Sequence, residues 1–545
     1  MFTYLHAYHT PETWDAQVKA GLVKENHGIR YCQSIDIDEE LKFNNLARRG
    51  GHLHRLLQEH PMPFYIDRLQ GGCFLEQYPY DMDLVEEYKN MLGEKFWGFQ
   101  MHEWMSNYRS DLEKLERSGC AAWNADAITA AIRAAFPFEH VFVEAMSPEE
   151  YEKTGKPGTY EEFLENARWL FKDRQEYTDG MLLPCDSGFL AYAMELKNGA
   201  RRLMPEIGAQ TANTRIQVAY ARGMAKAYGV PFGTYYEPWG GDPFSSCCYN
   251  KEGRNEWNIG PESFPFETNG ENGGSSRSMQ RRMHLYSYFA GASFIAEEWG
   301  LCNTFYDWNG FELSPYGRVK KEFIELTEKY PEIGTPVTPI AVVLPKELEV
   351  LDQNAAEPDR LLRYPAEGAL KDKLPRVRAG LKKLFCETEP MLGSETKSLL
   401  NCTVPDALDI VHEDKFDADA YEYLVDLTGS SALASAYGNK ICAMEDVPQL
   451  LDKLLPCTCT GGAMKQLTRR ADGSYCLLLT NNSGVQQSVA GGEVLLPEAA
   501  STVRVEAKAG LALHTAEGNG TLHRNDDGSY TVELPAGGWF FGLLG

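Results

Sequence analysis

The sequence predicts an α/β chain: a (β/α)8 TIM barrel, then a smaller flavodoxin-like α/β domain, then a C-terminal β-sandwich. Three observations carry that reading. Up to about residue 335, short apolar runs alternate with helical stretches, the pattern of βα units around a parallel sheet. Four of those runs end in a carboxylate beside Gly, Pro or Trp, and in such barrels the C-terminal strand ends carry the chemistry. Beyond residue 335 the alternation gives way to a short α/β stretch and then to strands and turns.

Eight runs are expected as barrel strands: 2–9 (FTYLHAYH), 28–34 (GIRYCQS), 62–70 (MPFYIDRLQ), 96–104 (FWGFQMHEW), 180–186 (GMLLPCD), 202–209 (RLMPEIGA), 230–237 (VPFGTYYE) and 292–299 (ASFIAEEW). A further run, 141–145 (VFVEA), is read as part of a long excursion between the fourth and fifth strands. Counted as a barrel strand, it would shift every later number by one.

A chain of 545 residues exceeds the roughly 250–300 that one core accommodates. The barrel is assigned to 1–335, the α/β domain to 336–460 (TPIAVVLP, LDIV, YEYLVDL and the helix MEDVPQLLDKLLP) and the β-domain to 461–545. In the last segment two DGS triplets, at 472–474 and 527–529, sit between alternating runs, which is a hairpin signal.

Composition excludes some classes of function. The formal net charge of −25 argues against nucleic acid and anionic membranes, which need a basic face. The N-terminus has neither a basic nor an apolar signal region, and no stretch of about 18 apolar residues occurs. Thirteen scattered Cys without paired C-x2-C sets fit a reducing, cytoplasmic setting and no structural zinc. His6, His9, His52 and His54 have no carboxylate or thiol partners nearby in sequence, so no metal is expected, and no cofactor is expected because two carboxylates suffice for the chemistry below.

Two carboxyl groups on different strand ends suit retaining cleavage of a glycosidic bond, where one protonates the leaving oxygen and the other attacks the anomeric carbon. Glu103, ending the fourth run, is the expected acid/base, with Trp97 and Trp104 as neighbours able to keep it partly dry. Glu237, ending the seventh, is the expected nucleophile, with Tyr235 beside it as a hydroxyl donor. Glu206, Glu297 and Glu298 are its rivals. Aromatic residues make up 12% of the chain; Trp239 and Trp299 are the best platforms for a pyranose face.

The runs FWGFQMHEW and PFGTYYEPWGGDPF resemble the acid/base and nucleophile strands of glycoside hydrolase family 42, the β-galactosidases of clan A. HLYSYFAGASFIAEEWG resembles the segment leading into that family's eighth strand, and ELSPYGRVKKEF resembles the linker leaving its barrel. TPIAVVLP, LDIV and the strand from Tyr421 to Val425 resemble its second, trimer-forming domain. The resemblance implies Glu103 as acid/base, Glu237 as nucleophile, an oligosaccharide or glycoside as substrate, and a homotrimer. The clan's usual Asn before the acid/base is His102 here, which leaves the sugar and its 2-hydroxyl contact open. A β-mannosidase-like clan member and an inactive carbohydrate-binding barrel are the alternatives. Arg68, Asp186, Glu206 and Glu298 complete the expected substrate-binding set with His102, Trp104, Tyr235, Trp239 and Trp299.

Overall fold

A computed structural model describes residues 2–32, 40, 42–67, 78–120, 124–135, 148–154, 156–208, 214–238, 272, 275–298, 304–306, 309–352, 360–361, 364–385, 401–488 and 492–545. Arg68, Trp239, Trp299 and the run 141–145 lie outside these residues.

The eight expected runs form one eight-stranded parallel sheet. Its strands are β1 (Thr3–Tyr8), β2 (Gly28–Tyr31), β3 (Phe64–Ile66), β4 (Phe96–His102), β5 (Leu182–Cys185), β6 (Glu206–Gly208), β7 (Thr234–Glu237) and β8 (Phe294–Glu297). Their order is β5-β4-β3-β2-β1-β8-β7-β6, and the Glu206 N–H closes the ring onto the Asp186 carbonyl at 3.3 Å. Helices follow the strands: α1 (Pro11–Lys19), α2 (His52–Glu59), α3 (Met82–Leu92), α4 (Trp104–Ser118), α5 (Tyr160–Tyr177), α6 (Tyr192–Lys197), α7 (Thr214–Tyr228), α8 (Arg277–Phe289) and α9 (Pro315–Lys329). Several begin at legible caps: Thr10 with Pro11, Asp81, Thr159, Ser276, and Ser314 with Pro315.

Strand side chains alternate between two faces. The inner face of the barrel is packed with Leu5, Tyr65, Leu183, Met204, Tyr235, Phe294 and Ala296, while Tyr4, Ile29, Phe64, Phe99, Ile207 and Ile295 pack outward beneath the helices. One irregularity sets the parity of β4. The β3–β4 register steps from Phe64↔Phe96 to Tyr65↔Gly98, so Trp97 is an extra residue. Gly98 carries φ +91°, and a Cβ there would lie 2.0 Å from the Met181 carbonyl oxygen. Only glycine fits that bulge. Beyond it Gln100 and His102 pair with Leu183 and Cys185 and share their inward face.

Past the barrel, β9 (Ile340–Leu344) lies between β10 (Leu408–His412) and β11 (Tyr423–Asp426) in a parallel sheet, with α10 (Gly368–Phe385) after β9. Asp409 on β10 joins this sheet to α7. Its buried carboxylate accepts from Arg222 Nε (2.6 Å), Lys226 Nζ (2.5 Å), Thr338 Oγ1 (2.8 Å) and the Tyr421 hydroxyl (3.0 Å). The last layers are antiparallel: a five-stranded sheet that also takes in Thr335–Pro336, and a four-stranded sheet that begins with Cys457–Gly461. Both DGS triplets turn hairpins, with Gly473 at φ 87° and Gly528 at φ 85°. Among the described residues no helix is long and apolar enough to cross a membrane.

Candidate active site at the C-terminal mouth of the barrel

A single residue, Glu103, joins β4 to α4. Turning a strand into a helix over one residue forces it into the left-handed region, φ 43° and ψ 35°, a conformation that costs a non-glycine residue of order 1–3 kcal/mol. Glu103 does not cap its own helix. Asp186, following β5, does so instead: its Oδ2 accepts from the Met105 and Ser106 N–H groups at 2.9 and 3.0 Å. Its Oδ1 accepts from Ser106 Oγ (2.6 Å), Gly188 N (3.1 Å) and Phe189 N (3.0 Å). The Glu103 carboxylate is thereby left to the barrel mouth, where Ser187 Oγ donates to its Oε1 at 2.8 Å.

Oxygens of Glu103, Glu206 and Glu237, from three strand ends, all lie within 4.8 Å of one another. Glu206 and Glu237 are fully buried, and Glu103 is the partly exposed member. Neither Glu206 oxygen has a hydrogen-bond partner among the described residues. Burial above all, with Cys185, Glu103, Glu237 and Glu298 around it, holds the Glu206 carboxyl well above the usual range and favours its protonated form.

His102 sits among these groups. Gln100 Nε2 donates to His102 Nδ1 at 3.0 Å, which leaves the ring proton on Nε2. That nitrogen faces Glu103 at 3.8 Å, Glu206 at 3.9 Å and Glu298 at 3.6 Å. His102, Cys185 and Glu206 also approach one another within 4.8 Å, as the three carboxylates do, and either trio is close enough to reach one cation.

Deeper in the barrel, Arg30 on β2 is a buried cation that the sequence reading passed over. Its Nη2 donates to Asp67 Oδ2 at 2.5 Å and to the Tyr235 hydroxyl at 2.6 Å. Asp67 thus pairs with Arg30, and the Tyr235 hydroxyl accepts from that guanidinium. Ser187, Gln100 and Cys185 were likewise not singled out. The available signal was periodicity: Arg30 is the lone cation in GIRY and shares parity with inward neighbours.

The expected set is thus distributed. His102, Glu103, Glu206, Glu237 and Glu298 come together at the mouth. The two tryptophans expected to dry Glu103 sit elsewhere. Trp97, at the bulge, packs on Phe294 at the other end of the barrel (centroids 4.9 Å apart). Trp104 turns away beneath α4, donating from Nε1 to Glu195 Oε1 at 3.0 Å and packing on Phe171. Burial pushes Glu195 up to about 8. Glu297, named as a rival nucleophile, points out of the barrel. It bonds Lys320 Nζ at 2.9 Å, His284 Nε2 at 3.2 Å, and the hydroxyls of Tyr4 and Tyr316. The candidate histidine ligands are dispersed: His6 pairs with His27 at 2.8 Å, His52 with the Tyr8 hydroxyl at 2.9 Å and His54 with Glu87 at 2.8 Å.

No protein-family model and no curated protein matches the sequence. Among solved structures the chain is similar to the catalytic module of a family 98 glycoside hydrolase from Streptococcus pneumoniae TIGR4, at 10% identity and TM-score 0.45, over 99% of this chain and 98% of that one. It is also similar to a β-galactosidase from the haloarchaeon Halorubrum lacusprofundi, at 11% identity and TM-score 0.42, over 99% and 98%. A third is α-L-fucosidase isoenzyme 2 from Paenibacillus thiaminolyticus, at 11% identity and TM-score 0.42, over 100% and 99%.

Proposed function

We propose that the chain is a retaining exo-β-glycosidase acting on β-galactosides or related β-glycosides, with Glu103 as acid/base and Glu237 as nucleophile. The observation that carries this reading is the approach of the Glu103 and Glu237 carboxylates within 4.8 Å at the barrel mouth. Retaining enzymes hold their two carboxyl groups about 5–5.5 Å apart, whereas inverting ones leave room for a water between them.

In the first step Glu237 attacks the anomeric carbon, the bond to the leaving oxygen breaks, and Glu103 gives that oxygen its proton. In the second, a water attacks the glycosyl-enzyme bond, Glu103 takes the water's proton, and Glu237 leaves as a carboxylate. The upward shift of Glu206 favours its protonated form, which is a poorer nucleophile and can donate a hydrogen bond to a sugar hydroxyl. The His102 Nε2–H fills the place of the clan's Asn amide. The family 42 resemblance of the two strands and of the second domain supports the β-galactoside and homotrimer readings, and the free thiols fit a cytoplasmic setting.

The test is hydrolysis of a panel of nitrophenyl glycosides, both anomers, by wild type and by Glu237→Ala with and without azide. Loss of β-glycoside cleavage in the variant, with azide restoring it as an α-glycosyl azide, is the expected result and names the sugar; preferred cleavage of β-mannosides would select the mannosidase-like alternative. Full activity in Glu237→Ala, or a sugar bound by wild type and never cleaved, would overturn the assignment.

A further inference from the structure

A cavity of about 640 Å3 opens at the end of the barrel opposite the carboxylate cluster, where β4 and β5 begin. It lies roughly 20 Å from Glu103, the length of β4 at about 3.3 Å per residue. Lys89, Trp97, Met181, Arg201 and Arg202 are on its wall, and among the described residues Glu94 is the one carboxylate there. This basic pocket belongs to a chain of net charge −25.

The Arg202 guanidinium lies over the Trp97 ring, 4.6 Å from its centroid, and is half-buried. Among the described residues, neither Arg201 nor Arg202 has a hydrogen-bond or ion-pair partner. The nearby acids are committed elsewhere: Asp179 and Glu86 hold Lys89 at 2.6 and 3.2 Å. Burial, and then the charge of Arg201, push Arg202 down to about 10. A cation desolvated against an indole, beside a second cation and answered only at a distance by Glu94, is costly to the fold without a ligand. A guanidinium presents a planar fork of donors that matches a pair of oxyanion oxygens.

We propose that this cavity is a second ligand site, which binds a small molecule carrying a phosphate-monoester or carboxylate oxyanion between Arg201 and Arg202, with its apolar body along Met181 and the edge of Trp97. The bulge that expels Trp97 from the β4 ladder supplies the platform on which Arg202 is held. The site is separate from the glycosidase reading and stands or falls without it.

Titration calorimetry on the full chain tests it, with phenyl phosphate and benzoate as the anionic probes and phenol as the neutral one. Saturable one-to-one binding of at least one anion and no heat from phenol is expected; which anion binds identifies the oxyanion. Arg202→Met should weaken that binding at least tenfold, and the exposed Arg201→Met several-fold. Glu94→Gln, which removes the competing carboxylate, should tighten it. Because methionine keeps the apolar contact with Trp97 and removes a desolvated charge, Arg202→Met should melt no lower than wild type without ligand. The anion should raise the Tm of wild type and not of this variant. Absence of saturable binding to wild type, or equal affinity in the Arg201→Met/Arg202→Met variant, would overturn the proposal.

Discussion

Asp186 caps the helix that Glu103 begins: its Oδ2 accepts the Met105 and Ser106 N–H groups at 2.9 and 3.0 Å, while Glu103, in the N-cap position, makes no capping bond. The left-handed turn at Glu103 is therefore held from the neighbouring strand. Asp186→Ala should uncap α4, release the loop carrying Ser187, and lower kcat/KM for the cleaved glycoside at least tenfold, with a loss of about 2–4 kcal/mol of stability. Ser187→Ala removes only the 2.8 Å bond to Glu103 and should cost activity roughly 5- to 30-fold at unchanged stability. Steady-state kinetics and urea melts on the two variants distinguish these outcomes.

Gly208 sits at φ 122°, and a Cβ there would lie 2.4 Å from the Glu237 carbonyl oxygen and 3.0 Å from its Cβ. Gly208→Ala should push Glu237 out of line, reducing kcat by a factor of ten or more with less effect on KM. A crystal structure of the variant would show whether the Glu237 backbone has moved.

Glu195 is pushed up to about 8 by burial, so the folded chain holds a proton that the unfolded chain releases near 4.5. Its unfavourable contribution grows as pH rises from 4.5 towards 8. Glu195→Gln keeps an acceptor for the Trp104 indole and removes the ionisation. It should raise Tm at pH 7.5, by an amount corresponding to about 2–4 kcal/mol, and leave Tm near pH 4.5 unchanged. Calorimetric scans at the two pH values check the sign.

Glu297 works in the opposite direction. Burial would raise its pKa, but Lys320 above all, with His284 and Tyr316, brings it down to about 2. Its stabilisation is present above 4.5 and is lost as pH falls towards 2. Lys320→Met leaves the carboxylate buried without its cation and should destabilise by about 3–5 kcal/mol at pH 7, a deficit that shrinks as pH drops below 4.5. Denaturant melts of wild type and variant across that range measure it.

The barrel was legible because its strands are short apolar runs between helices with recognisable caps, and all eight lie where the runs do. The carboxylates at strand ends were legible too, since an apolar strand has little use for a terminal Glu. Which way each one points was not. Glu297 and Glu298 are neighbours in sequence, yet the pairing Tyr236↔Glu297 puts one under the helices, while the other faces His102. Only the register decides that. Trp97 shows the same gap: the bulge that sends it to the far end of the barrel is marked in the sequence by nothing more than Gly98. Arg30 was overlooked because a buried arginine needs Asp67 and Tyr235, both distant in sequence, to be tolerated.

The one-residue junction between β4 and α4 also bears on how such a barrel can be adapted to new substrates. No spare chain exists at Glu103, so an insertion or deletion there would rotate the whole helix and carry the carboxylate with it. Between Glu237 and Arg277 the sequence runs through many residues rather than one. On the proposed glycosidase reading, changes in the shape of accepted sugars should therefore accumulate after β7, with the β4 corner as the fixed pivot. Loop grafting for altered specificity should begin on the β7 side.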